Sequence, residues 1–208
     1  MKSKVLSTIN SFDPVIHTIK GTSIEWGLDE PSPDIGNPYW GDECRLFLAV
    51  GGPREERRVR LMKCLPRREG MCFMISEEGR PYLEDGPFFS LSHTNVYSIL
   101  AISRIYQIGI DIEIDRTIRF AKQIASRFFH PAERKLLERK GWTSPDFLKI
   151  WVIKEAIVKS KGQSFLRTCR MIDSGAFRAG YMKYRIDRDY LHIAINIFNC
   201  PEAQVSKL

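Results

Sequence analysis

Apolar and non-apolar residues alternate without a break from Ile108 to Asp115. Ile108, Ile110, Ile112 and Ile114 fall on one face, and Gly109, Asp111, Glu113 and Asp115 on the other. Strand side chains have a period of two, so the stretch predicts a half-buried strand with an apolar face and an acidic face. Asp and Glu are uncommon in strands. Three carboxylates at i, i+2 and i+4 on one sheet face repel one another unless water or a cation shields them. The stretch is therefore either a solvated outer face or part of a cation site.

The same reading extends along the chain. Residues 1–43 are broken by Pro14, Pro31, Pro33 and Pro38 and by four glycines, which exclude a long helix. Trp26, Tyr39 and Trp40 are expected to pack on the body or line a loop. Cys44–Val50 reads as a strand ended by Gly51-Gly-Pro53. Arg54–Leu65 reads as a helix with Val59, Met62 and Cys64 or Leu65 inward, and Arg57, Arg58 and Arg60 facing solvent or a cleft. Met71–Ile75 predicts a strand, and Ser76–Tyr82 a turn shaped by Gly79 and Pro81. Phe88–Thr94 leads into an apolar strand, Val96–Ile102. The short link Arg104–Gln107 predicts an antiparallel hairpin between that strand and the acidic one.

After Asp115 the period changes to helical. Phe120, Ile124 and Phe128 form an i, i+4, i+8 stripe expected to face inward. Pro131 suits the first turn of a following helix. Thr143-Ser-Pro-Asp146 predicts a helix start with Ser144 as cap, running from Phe147 to about Lys161 and stopping at Gly162. Ala176–Ile197 reads as strands, and the tail after Pro201 as frayed.

Composition narrows the class. The 208 residues suffice for one large domain or two small ones. No apolar run reaches the length of a membrane span, and Met1–Lys20 lacks the core of a signal peptide, so a cytoplasmic protein off the membrane is expected. The five cysteines are odd in number and scattered without a CxxC pair, which argues against zinc and for reduced thiols. The net charge of +7 points to an anionic partner: nucleic acid, a phosphate-rich cofactor or an acidic protein. A nucleic-acid domain would want aromatic-interleaved basic strands or a recognition helix, and neither is evident.

Within the last long helix, Trp151-Val-Ile-Lys-Glu-Ala-Ile-Val-Lys159 puts Glu155 and Lys159 four apart on one face, with Lys154 beside them. Alone this reads as a surface ion pair. Joined to Ile108-Gly-Ile-Asp-Ile-Glu113 about forty residues earlier, it resembles the paired signature of the 4′-phosphopantetheinyl transferase superfamily. Arg127-Phe-Phe-His-Pro-Ala-Glu133 fits the same family. Gly79-Arg-Pro-Tyr82 and Phe89-Ser-Leu-Ser-His-Thr94 resemble elements of its larger, Sfp-like subgroup. The resemblance covers about residues 76–162. Ser90 stands where the family commonly has Asn, Val152 where a small polar residue is usual, and Thr94 where Ser is usual.

The resemblance implies an α+β fold. It would be a pseudo-dimer of two similar α/β halves, each a helix packed on an antiparallel sheet. Residues 1–104 would form the half on the nucleotide side of coenzyme A. Residues 105–208 would carry the metal site, the catalytic helix and the docking face. The implied reaction moves 4′-phosphopantetheine from coenzyme A to a serine of an apo acyl or peptidyl carrier protein and releases adenosine 3′,5′-bisphosphate. It would serve fatty acid, polyketide or nonribosomal peptide synthesis. Asp111, Glu113 and Glu155 would hold Mg²⁺, whose preference for carboxylate, water and phosphate oxygens suits such a set. Glu155, Lys159 and His93 would be catalytic: Glu155 as base, Lys159 and His93 on the pyrophosphate. Gly79, Arg80, Pro81, Ser92, His93, Lys154 and Lys159 would bind coenzyme A, with Arg80 on its 3′-phosphate. A monomer acting on an acidic carrier protein is expected, with no nucleic-acid or membrane partner. Arg127, Arg134 and Lys135 are candidates for the docking face. The alternative is a non-catalytic relative that binds coenzyme A or a carrier protein.

Overall fold

The computed structural model describes residues 15–19, 25–26, 44–66, 72–104, 106–177 and 179–198. Tyr39, Trp40, Met71 and the tail after Pro201 lie outside the described residues. Among the described residues, ten strands and five α-helices follow in the order β1 (Val15–Ile19), β2 (Glu25–Trp26), β3 (Cys44–Val50), α1 (Arg54–Met62), β4 (Phe73–Ile75), β5 (Pro81–Leu83), β6 (Phe88–Thr94), β7 (Tyr97–Ser103), β8 (Gln107–Ile114), α2 (Ala121–Phe128), α3 (Pro131–Arg139), α4 (Ser144–Ser160), α5 (Phe165–Thr168), β9 (Ala179–Ile186) and β10 (Asp189–Phe198). The fold is α+β. No described helix is long and apolar enough to cross a membrane.

Two four-stranded antiparallel sheets form the body, ordered β1-β3-β7-β6 and β2-β9-β10-β8, with β4-β5 as a separate hairpin. The isoleucine pattern of β8 decides how they stack. Ile108, Ile110 and Ile112 join Leu191, Ile193 and Ile195 of β10 and Leu46, Leu48, Ile99 and Ala101 of the first sheet in one core. The inner faces of the sheets therefore pack on each other. On the outer face of the first sheet, Leu61 and Leu65 meet Ala49, Phe89, Leu100 and Ile102. On that of the second, α4 buries Val152, Ile153, Ala156 and Ile157 against Ala179, Tyr181 and Ala194. A hydrogen bond from the Tyr97 hydroxyl to Asp189 Oδ2 (2.6 Å) clasps the two sheets. β2, from early in the chain, pairs with β9 in the second sheet.

The expected hairpin between β7 and β8 does not form. β7 pairs with β3 on one side and β6 on the other, and β8 pairs with β10. Every residue of β7 is buried, as in a central strand, so both its edges are taken. The short link instead carries the chain from one sheet to the other. The tight hairpins are β6–β7 and β9–β10, turned through left-handed Asn95 (φ 31°) and Asp187 (φ 50°).

Of the stripe expected on α2, Ile124 and Phe128 pack against the helix core, and Phe120 does not. Phe120 is 64% exposed, whereas Ala121, Ala125 and Phe129 are buried with Leu137, Phe147 and Ile150. Phe120 precedes the first helical turn, so the inward face starts one residue later. Arg57 departs further from a solvated helix face, at 1% exposure. Its guanidinium donates to Ser98 Oγ (3.0 Å), Gly52 O (2.5 Å) and Asn95 O (2.7 Å). Those carbonyls sit in turns, where no ladder supplies a donor. Arg58 does face solvent, paired with Glu55 at 3.1 Å.

α4 is the element that positions the site. Thr143, not Ser144, caps it, accepting from Asp146 N (3.3 Å). The Ser144 hydroxyl instead accepts the Ile118 N–H at 2.9 Å. Trp151 anchors the middle of the helix among Phe128, Phe129, Phe147 and Phe165. The helix ends at Gly162, in the left-handed conformation (φ 64°) that such a stop needs.

Candidate functional site

β6 and β8 are the edge strands of their sheets and run side by side, although no ladder joins them. Side chains bridge the gap instead. The Ser90 hydroxyl accepts the Ile110 N–H at 3.1 Å, in place of a backbone carbonyl. Two residues on, the Ser92 hydroxyl donates to Asp111 Oδ1 at 2.6 Å. Next, Thr94 Oγ1 lies 3.5 Å from Glu113 Oε2. The sequence flagged Ser90 only as a departure from a family pattern, yet a serine is short enough to make this bridge.

The third wall is α4, and Gly109 sets its distance. A Cβ at Gly109 would lie 2.0 Å from the Ala156 carbonyl oxygen and 2.4 Å from Ser160 N. Only glycine lets the helix backbone lie directly on the strand. One strand position pair along, Asp111 then meets the same face of the helix. It is 3% exposed. Lys159 Nζ reaches Asp111 Oδ1 at 2.6 Å, Ser92 Oγ at 3.1 Å and Glu155 Oε2 at 3.1 Å. At Asp111 the acidic face of β8 is thus not solvated but covered by α4.

The charges are unevenly matched. Two carboxylates converge on one ammonium in a place largely removed from water. Burial, and then the neighbouring Asp111 carboxylate, push Glu155 up to about 7, against the pull of Lys159. Burial alone would lower Lys159, but Asp111 and Glu155 outweigh it and raise it. Glu113 is raised by burial, opposed by Arg116, which binds its Oε2 at 3.1 Å. His93, beside Ser92, is exposed. Burial of part of its ring, then the cations Arg54, Lys159 and Arg57, lower it. A neutral imidazole among cations marks a locally positive surface, suited to an anion.

Arg80, Gly79 and Pro81 line a cavity of about 190 Å³ together with Phe89, Lys159 and Gln163. Arg80 and Lys159 bring two cations to its lining and Glu78 one carboxylate. Arg80 donates to Ile108 O at 3.1 Å and lies 3.5 Å from Ser160 O, so the guanidinium straddles β8 and the end of α4. Burial lowers it.

The structure brings Asp111, Glu155, Lys159, Ser92 and His93 together, with Gly79, Arg80 and Pro81 in the adjoining cavity. Glu113 is near but turned to Arg116 and Thr94. Lys154, expected among the coenzyme A contacts, is elsewhere. It is 0% exposed, with its ammonium 2.7 Å from Glu133 Oε2, bonded to the Ile172 carbonyl and 5.7 Å over the Phe129 ring. Glu133 also accepts from Ser174 N (2.9 Å) and His130 N (2.7 Å). Successive helical residues point about 100° apart, so Glu155 and Lys154 cannot share a wall. Lys154 ties α4 to α3 instead. Sequence reasoning missed Arg54 and Arg116. Arg116 had a signal, standing three residues after Glu113. Arg54 had none, because its nearness to His93 depends on the packing of α1 on β7.

Among the described residues no three of His, Cys, Asp and Glu converge to form a metal cage by themselves. The donor set does fit a divalent ion of the Mg²⁺ type. Asp111 and Glu155 offer carboxylate oxygens with one positive charge too few, and Mg²⁺ takes only one or two protein carboxylates beside water and phosphate oxygens.

Residues 107–195, from β8 to β10, match the model of the 4′-phosphopantetheinyl transferase superfamily. The family recognised from the motifs is the one this comparison finds. Three curated relatives carry the same name. The 4′-phosphopantetheinyl transferase gsp of Aneurinibacillus migulanus is 34% identical over 97 residues, 46% of this chain and 40% of that protein. The transferase Sfp of Bacillus subtilis is 34% identical over 95 residues, 44% and 41%. The transferase AcpT of Salmonella typhimurium is 32% identical over 111 residues, 51% and 57%. The matched stretch thus spans about half of the chain or less, and 40–57% of these relatives. Residues 107–195 contain Asp111, Glu155 and Lys159, which converge where α4 crosses β8, and Glu113 beside them.

Proposed function

We propose that the protein is a 4′-phosphopantetheinyl transferase of the Sfp-like subgroup. It moves the phosphopantetheine arm of coenzyme A to a serine of an apo acyl or peptidyl carrier protein. The observation that carries this reading is the meeting of Asp111, Glu155 and Lys159, all three within residues 107–195, beside Ser92. The serine hydroxyl attacks the β-phosphorus of the pyrophosphate. A new P–O bond forms to serine, and the bond from that phosphorus to the bridging oxygen breaks. Adenosine 3′,5′-bisphosphate leaves with the electron pair.

The chain's own residues divide the work. Glu155, paired with Lys159 at 3.1 Å, takes the serine proton. Lys159 and His93 bind pyrophosphate oxygens, Lys159 offsetting the negative charge that grows as the bond breaks. Ser92 holds the Asp111 carboxylate and so fixes Lys159. Gly79, Arg80 and Pro81 border the nucleotide, with the Arg80 guanidinium facing the 3′-phosphate. Asp111 and Glu155, with Glu113 once released from Arg116, would hold Mg²⁺. When bound, that ion neutralises the pyrophosphate charge.

Residues 1–104 and 105–208 serve as the two halves of a pseudo-dimer with coenzyme A between them. Each sheet carries a helix on its outer face, α1 on one and α4 on the other, and β2 of residues 1–104 adds the edge strand of the second sheet. The protein acts as a cytoplasmic monomer on an acidic carrier protein in fatty acid, polyketide or nonribosomal peptide synthesis. The test is chromatographic assay of adenosine 3′,5′-bisphosphate with coenzyme A, Mg²⁺ and a panel of apo carrier proteins. Release only when carrier and metal are both present supports the reading. Coenzyme A binding, seen by calorimetry, without release on any carrier favours a binding protein.

A further inference from the structure

The centre where α4 crosses β8 carries its own cations. Lys159 Nζ lies 2.6 Å from Asp111 Oδ1 and 3.1 Å from Glu155 Oε2, so one ammonium joins a carboxylate of the strand to one of the helix. Asp111 Oδ1 also accepts from the Ser92 hydroxyl at 2.6 Å. The third acidic group, Glu113, gives its Oε2 to Arg116 at 3.1 Å. Among these five charged groups three carboxylates meet two cations, which leaves a single negative charge.

The fold does not need these pairs. α4 is already seated on the second sheet by Val152, Ile153, Ala156 and Ile157 and by the close approach at Gly109. A buried ion pair seldom stabilises more than apolar packing of the same size. An exposed one, such as that of Arg116, contributes little. Lys159 also differs from the structural lysine of the same helix. Lys154 is fully buried, whereas the Lys159 side chain is 30% exposed and lines the cavity it shares with Arg80 and Pro81. Lys159 can leave its carboxylates without crossing the core.

A divalent ion that uses these carboxylates meets a cation already bound to each. Two positive charges on one carboxylate repel, and most strongly where water is excluded. We propose that Lys159 and Arg116 are resident counter-ions that hold the acidic set against a divalent ion, and that coenzyme A admits the ion by drawing Lys159 onto its pyrophosphate. The second half rests on the transferase reading, and the first on the geometry alone. Once the pyrophosphate takes the ammonium, Asp111 and Glu155 regain their negative charge and become available to the ion. Linkage makes the effect reciprocal, so the ion tightens coenzyme A by the same factor. Without the nucleotide the ion is held weakly, and the centre is completed only around its substrate.

The test titrates Mn²⁺ into the unmodified protein, Lys159→Gln, Arg116→Gln and Lys183→Gln, reading the free ion by electron paramagnetic resonance, with thermal melts to show that each variant is folded. Lys183 is the control, because it pairs with Asp115 at 2.8 Å, outside the three carboxylates. Without coenzyme A, Lys159→Gln is expected to bind Mn²⁺ about tenfold more tightly than the unmodified protein. Arg116→Gln should gain about threefold, and Lys183→Gln should stay within about twofold. Coenzyme A should tighten Mn²⁺ about tenfold in the unmodified protein and less in Lys159→Gln. Adenosine 3′,5′-bisphosphate, which has no pyrophosphate, should give no gain. Binding by Lys159→Gln no tighter than by the unmodified protein, or an equal tightening in Lys183→Gln, overturns the counter-ion role. If Lys159→Gln does not fold, Arg116→Gln decides, and no tightening there overturns it. A gain from coenzyme A as large in Lys159→Gln as in the unmodified protein overturns the exchange. Transfer to an apo carrier protein is assayed in parallel. If the unmodified protein transfers nothing, the transferase reading fails on that count, and the nucleotide-free titrations still judge the counter-ions.

Discussion

Gly109→Ala should separate fold from activity, and the structure sets the size of the effect. The added Cβ would stand 2.0 Å from the Ala156 carbonyl oxygen, and ordinary contact begins at 3.4 Å. The obstacle is helix backbone, which cannot rotate aside. α4 must therefore lift by about 1.4 Å, or β8 must sink into the isoleucine core. Overpacking of this kind costs about 1–3 kcal/mol. The site loses more. The 2.6 Å contact between Lys159 and Asp111 depends on the same helix face, one residue before Ser160. Stretched by the full displacement it is no longer a hydrogen bond. A misplacement of about 1 Å costs on the order of a hundredfold in rate. The assay is urea denaturation beside initial transfer rates at saturating coenzyme A. A folded variant with about a hundredfold lower kcat is expected. Transfer within threefold of the unmodified protein would refute the reasoning, because the helix would have had to stay in place against the clash.

Three further substitutions test the same geometry. Glu155→Gln should lower transfer by about 10²–10⁴-fold, as loss of a general base does. Because the fold raises Glu155 from 4.5 to about 7, its contribution to stability falls as pH rises across that window. The metal-free Gln variant should therefore melt no lower than the unmodified protein at pH 8 and lose that advantage at pH 4, as thermal melts at both pH values would reveal. Lys154→Ala leaves the Glu133 carboxylate buried without its partner and should cost about 3–5 kcal/mol in urea; a loss under 1 kcal/mol would contradict the buried pair. Arg57→Lys cannot span Ser98, Gly52 and Asn95 at once and should cost about 1–3 kcal/mol by the same measurement, with no change expected in a solvated arginine such as Arg58.

Legibility in the sequence followed the range of the interactions. The alternation of β8 put Ile108, Ile110 and Ile112 in the core, as a local period can. The i, i+4 spacing put Glu155 and Lys159 on one wall. What faced those walls was not local. The acidic face of β8 looked open to solvent because nothing nearby in the chain revealed that α4 crosses at Gly109. Lys154 looked like a neighbour of Glu155, and its true partner is Glu133, on another helix. Arg57 looked solvated because its acceptors include Ser98 and Asn95, about forty positions away. The link after Ser103 suggested a hairpin because its length does not say whether both edges of β7 are occupied. The motifs nevertheless singled out Asp111, Ser92, His93, Glu155 and Lys159, which the fold brings close together.

Intact mass spectrometry of an apo carrier protein, incubated with coenzyme A, Mg²⁺ and this protein, tests the central claim most directly. A gain of one phosphopantetheine arm, about 340 Da, is predicted on the carrier, abolished by Asp111→Asn and by chelating the metal. A gain of the same size with Asp111→Asn would contradict the assignment of the β8–α4 centre. No gain across a broad panel of carriers, together with no binding of coenzyme A, would contradict the transfer itself.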